Sequence, residues 1–72
     1  MKVIISESIY EMSRKEFKGV IDVAKGTNKC FIVAVEKNNI AEMKNEKFET
    51  QEELNNGITE YRTKGFRVYY KR

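Results

Sequence analysis

Seventy-two residues, 40% hydrophobic and 35% charged, describe one small globular domain spanning 1–72 and exclude a disordered chain. A chain of this length buries only about 60% of the surface it exposes when unfolded, which leaves room for one modest core and no deep cleft. The net charge of +3 is small, and the lone cysteine, Cys30, excludes an internal disulfide and fits a reducing, cytoplasmic setting.

The first apolar run, Val3-Ile4-Ile5, is followed at once by Ser6 and Glu7. A secretory h-region needs roughly 7–15 apolar residues and a membrane span about 20, so no membrane partner is expected. Lys2 to Ser6 reads as a short strand with β-branched residues at its centre. Glu7 to Met12 reads as a connector. Ser13 then opens a helix, with Glu16 completing a capping box and Met12 and Phe17 placed for a hydrophobic staple. Phe17, Val20, Ile21 and Ala24 share one helical face, and Gly26 suits the left-handed stop.

Cys30 to Lys37 is the strongest strand, and its apolar residues on both faces place it inside a sheet. Asn38-Asn39 predicts a two-residue hairpin turn, because both residues tolerate positive φ. Ile40 to Lys44 is the return strand, and Asn45-Glu46 marks a bulge or a second turn. Thr50 with Glu53 predicts another capping box, opening a helix whose apolar face is Leu54, Ile58 and Tyr61. Gly57 lies on that face and either permits close helix–sheet approach or, with Asn56, splits the segment at a turn. Gly65 stops the helix. Phe66 to Lys71 alternates strictly and reads as a half-buried strand.

The order β-α-β-β-α-β predicts an α+β two-layer sandwich. Its plan is ferredoxin-like: four mostly antiparallel strands with both helices on one face. Strict alternation would then leave Ile4, Cys30, Ile32, Ala34 and Tyr69 on a helix-free face beside Arg67 and Lys71.

The chain has no histidine, so the commonest general base and metal ligand are missing. One cysteine builds no zinc site, and on a central strand Cys30 reads as a small hydrophobe. Gly19, Gly26, Gly57 and Gly65 form no phosphate-cradling loop or dinucleotide fingerprint. The expectation is a protein with no catalytic residue, no cofactor and no metal.

Charge is unevenly spread. Residues 36–60 hold three basic and seven acidic side chains, whereas 61–72 hold Arg62, Lys64, Arg67, Lys71 and Arg72 with no acid. Arg14, Lys18 and Lys25 fall on one flank of the first helix, interrupted by Asp22, which sits four residues from Lys18 for a pair. On the last strand Arg67, Tyr69 and Lys71 project together. Basic residues around an aromatic are what single-strand binders use, although edge strands also carry such charges to block aggregation. The RNA recognition motif shares the predicted element order. Its third strand, however, stacks bases on aromatics, and here Ile40-Ala41-Glu42-Met43-Lys44 has none.

The closing stretch Ile58 to Lys71, with the short length and the Lys/Glu/Asn/Ile-rich usage, resembles small uncharacterised phage or prophage proteins of Gram-positive bacteria. That resemblance implies a class only: accessory proteins that bind host or phage macromolecules. The leading expectation is therefore a non-enzymatic protein-binding module, self-associating as a homodimer through Ile4, Cys30, Ile32, Ala34 and Tyr69. The alternative is nucleic-acid binding through Lys2, Arg67, Tyr69, Lys71 and Arg72.

Overall fold

A computed structural model describes the chain from Met1 to Arg72. Seven elements follow one another: β1 (Lys2–Ile5), β2 (Ser8–Glu11), α1 (Arg14–Lys25), β3 (Phe31–Lys37), β4 (Ile40–Lys47), α2 (Gln51–Thr63) and β5 (Arg67–Lys71). The strands make one sheet in the order β2-β1-β4-β3-β5. Only β1 and β4 pair in parallel, and the other neighbours are antiparallel. The class is α+β, as expected, but the sheet is mixed and has a fifth strand.

That extra strand is β2, inside the segment that reads as a connector. Ser6 and Glu7 join it to β1 at φ 47° and 72°, the left-handed pair that a type I′ hairpin turn requires. Neither residue type favours that region, so the sequence carries no turn signal there. Asn38 and Asn39, at φ 54° and 63°, close the β3–β4 hairpin as their side chains predict.

Both helices start at the predicted caps. The Ser13 hydroxyl accepts the Glu16 N–H and the Glu16 carboxylate accepts the Ser13 N–H, each at 3.1 Å, a complete capping box. In α2 the Thr50 hydroxyl accepts the Glu53 N–H at 3.1 Å, but the Glu53 carboxylate takes the N–H of Glu49 instead. Gly57 stays inside an unbroken α2. A Cβ there would lie 2.8 Å from Phe48 Cζ and 3.3 Å from Ile32 Cδ1, so the missing side chain is what lets the helix settle on the sheet.

The helices lie on opposite faces, which corrects the two-layer, ferredoxin-like plan. Along β5, Tyr69 packs with Phe17 and Ile21 of α1, whereas Val68 and Tyr70 pack with Leu54 and Ile58 of α2. Adjacent strand residues point to opposite faces. The reason is β2, which reverses the chain before α1. The crossover through α1 leaves β2, the crossover through α2 leaves β4, and these two strands are antiparallel. Both crossovers step the same way along the sheet. Right-handed crossovers from antiparallel strands, stepping the same way, put their helices on opposite sides.

Strand β3 serves both layers. Phe31, Val33 and Ala34 face α1, and Ile32 and Val35 face α2. Val33 and Ala34 share a side because the pairing of β3 with both neighbours shifts register between Ile32 and Ala34. On β4 the irregularity falls at Asn45, at φ 52°. Every residue from Phe31 to Glu36 is buried, and Glu36, at 8% exposure, is the one charged residue in the core. No helix is long and apolar enough to cross a membrane.

Candidate functional site

A hydrogen-bonded polar cluster surrounds that buried carboxylate. Glu36 ends the apolar run of β3 and faces α1. Arg14, in the first turn of α1, grips it with both guanidinium nitrogens at 2.7 Å, the planar bidentate geometry that arginine favours. The Tyr69 hydroxyl donates to the same carboxylate at 2.7 Å. The Arg14 guanidinium holds the Glu36 carboxyl below the usual carboxylate range, against the opposing effect of burial. Burial first, and the Glu36 hydrogen bond second, push the Tyr69 hydroxyl above its usual value.

The Tyr69 ring is boxed in. Phe17 meets it edge-on, with centroids 5.2 Å apart and planes at 88°, and the Arg67 guanidinium carbon lies 5.5 Å from its centroid. These contacts occupy the ring that would otherwise stack on a base. They fix the spacing between α1 and β5 and so shape what lies between.

Between α1 and β5 runs a shallow cleft of about 340 Å³, walled by Lys18, Asp22 and Lys25 on one side and Arg67 and Tyr69 on the other. On the same side of β5, outside the cleft lining, the Lys71 ammonium donates to the Gly26 carbonyl at 2.6 Å. Lys18 and Asp22 form no ion pair; the only ones beyond Arg14–Glu36 are Lys44–Glu42 and the N-terminus with Glu11. Counted over helices and strands, the α1 side of the sheet carries seven cations against three carboxylates, and the α2 side four against six. The α1 side alone is thus as positive as the whole chain, whose net charge is +3, and slightly more so.

The residues singled out from sequence scatter over this frame. Ile32 and Ala34 have no exposed surface, one under α2 and the other under α1, so the helix-free interface that was to include them does not exist. Tyr69 is half-buried beneath α1. Cys30 is not on the central strand; it precedes β3 at φ 58°, with its sulfur 3.3 Å from the Gln51 amide. Ile4 lies half-buried on β1, on the α2 side. Of the basic set, Arg67, Tyr69 and Lys71 come together against α1. Lys2 is on β1, three strands from β5, and points to the α2 side. Arg72 also turns that way, with a nitrogen 2.6 Å from the Asn55 amide oxygen and its guanidinium carbon 5.1 Å from the Tyr70 ring centroid.

The α2 side has a different chemistry. The Tyr61 hydroxyl donates to Glu46. Burial and then that carboxylate push its pKa up to about 12. Tyr70 sits between Arg62 and Arg72, and the Arg72 guanidinium draws its hydroxyl below the ordinary tyrosine value. No three His, Cys, Asp or Glu residues converge in a way that would hold a metal.

Glu36 was absent from the sequence-derived site. Its one signal is a carboxylate closing the run Phe-Ile-Val-Ala-Val, where burial demands a cationic partner. Arg14, Lys18 and Lys25 were visible as a helix flank, but nothing local tied them to β5. No protein family matches the chain, and no curated protein or solved structure matches it.

Proposed function

We propose that this chain is a non-enzymatic binding module that holds nucleic acid against its α1 side, by phosphate contact. The observation that carries the reading is the convergence of Lys18, Lys25 and Arg67 around one cleft, with Asp22 the carboxylate among them and Lys71 farther along the same side of β5, on the face that holds the molecule's excess positive charge. A focused basic surface attracts polyanions and releases their counterions. Tyr69 supports the site as a spacer rather than as a stacking platform, since its ring and hydroxyl are already engaged. Recognition by phosphates alone makes single and double strands comparable ligands and predicts little sequence preference. The resemblance to phage accessory proteins fits a small cytoplasmic module of this kind.

Fluorescence anisotropy with labelled single- and double-stranded oligonucleotides tests the reading. With three or so phosphates neutralised, the logarithm of the binding constant should fall with the logarithm of salt at a slope of about −2 to −3. The pair Lys18→Glu, at an exposed residue, and Lys25→Glu, at a half-buried one, should weaken binding at least tenfold with an unchanged circular dichroism spectrum. No binding to either probe at about 20 mM salt, or undiminished binding by the folded double variant, removes the proposal.

A further inference from the structure

We propose that β2 docks a second copy of this chain, edge to edge, as an antiparallel seam centred on Tyr10. The two edges of the sheet are unlike. β5 is guarded by Arg67, Lys71 and the adjacent Arg72, the cations that natural edges use against strand addition. β2 reads Ser8-Ile9-Tyr10-Glu11, with no lysine, arginine or proline, and all four residues are exposed. Ile9 and Tyr10 show 66% and 48% of their surface to solvent. Helix α2 packs on β3 and β5 and leaves the β1–β2 end of that face bare.

The hairpin dictates which backbone groups are free. The Met12 N–H donates to the Met1 carbonyl at 3.0 Å, so Met12 faces inward. Pairs alternate along an antiparallel ladder, so Tyr10 and Ser8 also bond inward, and Ile9 and Glu11 present N–H and C=O outward. A two-fold axis normal to the sheet at Tyr10 matches Ile9 to Glu11 of the second copy, and Glu11 to its Ile9. Each match is a hydrogen-bonded pair, and the two Tyr10 residues meet as the close, non-bonded pair between them.

This register is self-complementary. Lys2 lies opposite Glu11 and Ile4 opposite Ile9, so the α2-side row runs Ile4, Ile9, then Glu11 and Lys2 of the second copy. No like charges meet, and the stems of Glu11 and Lys2 cover Ile9. A seam centred on Ile9 would instead oppose Glu11 to Glu7 of the second copy, and Glu7 is in the turn at φ 72°. Charge does not stand against a second copy. The basic cleft is at β5, the far edge of the sheet. In the ten-stranded sheet the two β5 strands stand nine strand spacings apart, about 43 Å. That is well beyond the screening length of about 8–10 Å, so the basic faces do not oppose assembly.

Sedimentation equilibrium of the nuclease-treated full chain, up to about 1 mM, tests this. The weight-average mass should climb from 8.5 kDa toward twice that value and stop there. Ile9→Pro removes only an outward N–H and leaves the β1–β2 ladder intact; it should stay at monomer mass with an unchanged far-ultraviolet spectrum. Should that variant unfold, crosslinking supplies the answer. In a Cys30→Ser background, Tyr10→Cys should oxidise to a covalent dimer at least tenfold faster than Ile9→Cys. The proposal is overturned by a strict monomer at every concentration, by a folded Ile9→Pro that still assembles, by faster crosslinking at position 9, or by growth past the dimer.

Discussion

The two faces of this sheet are made from the same strands, yet they are built to opposite specifications. The α1 face is cationic, is braced by Arg14 and Tyr69 on the buried Glu36 carboxylate and opens into a cleft. The α2 face is acidic and closely packed, with Gly57 against Phe48 and Ile32. The contrast shows how a short chain divides its work. One face spends its side chains on contact between helix and sheet. The other packs Phe17 and Ile21 into its core, adds the Arg14–Glu36–Tyr69 cluster beside them, and leaves a cleft between α1 and β5.

Core truncation should strike both faces hardest, with α1 the more vulnerable. Phe17 is 1% exposed and braces Tyr69. Phe17→Ala should cost about 3–5 kcal/mol, against a total stability of order 4–11 kcal/mol for a chain this size. Urea titration measures it, and a loss under about 1 kcal/mol would mean that α1 is not anchored by that ring. Leu54→Ala is the matching test on α2, with about 2–5 kcal/mol expected.

The internal glycines sharpen the contrast, because the same substitution should change sign between the helices. A Cβ added at Gly19, in α1, would meet nothing within 4 Å, whereas one at Gly57 would meet an aromatic carbon at 2.8 Å. Gly57→Ala should destabilise by about 1–2 kcal/mol, overpacking outweighing the helix-propensity gain. Gly19→Ala should stabilise by up to about 1 kcal/mol. Equal effects of one sign in thermal melts would mean that Gly57 is not crowded by Phe48 and Ile32, because Gly19 reports only an exposed helix position.

A smaller effect separates the two tyrosines. Tyr69→Phe removes one hydrogen bond to Glu36 but leaves the bidentate Arg14 grip, so about 1 kcal/mol should be lost. The pH response should differ at the two ends of the scale. The folded pKa of Glu36 lies below its reference value of 4.5, so its stabilising contribution is present above that value and disappears as the pH falls through the folded pKa. Glu36→Gln should flatten the acid limb of a stability–pH curve. Tyr61 titrates in the opposite sense: its folded pKa is pushed from 10.0 to about 12. Its contribution is complete below pH 10 and is lost as the pH rises through about 12, and Tyr61→Phe should remove that alkaline loss. Acid and alkaline limbs unchanged in the two variants would show that neither cluster is coupled to folding.

Local structure was legible in the residues themselves. The Ser13–Glu16 box, the Asn38-Asn39 turn, the stop at Gly65 and the two-sided apolar run of β3 each depend on a few neighbouring side chains, and each forms where those side chains predict. At Gly57 the residues allowed either close approach or a turn with Asn56, and the unbroken α2 against Phe48 and Ile32 decided for close approach. β2 was not legible. Its turn uses Ser6 and Glu7 at positive φ, against their own preference, and is imposed by pairing with β1 rather than encoded in the turn.

What only the tertiary structure decided follows from that one strand. β2 reverses the chain before α1, and the preference for right-handed crossovers then carries α1 to the face opposite α2. The bulge at Val33–Ala34 shifts the alternation, so Ile32 and Ala34, adjacent on a regular strand face, end up buried under different helices. The expected interface vanished because a helix covers each face, and Arg14, Lys18 and Lys25 met Arg67 and Lys71 because the crossover from β2 carried α1 to their side. Charge and hydrophobicity are properties of residues and are read in sequence. Which charges share a surface depends on strand direction and register, set by hydrogen bonds between segments far apart in the chain.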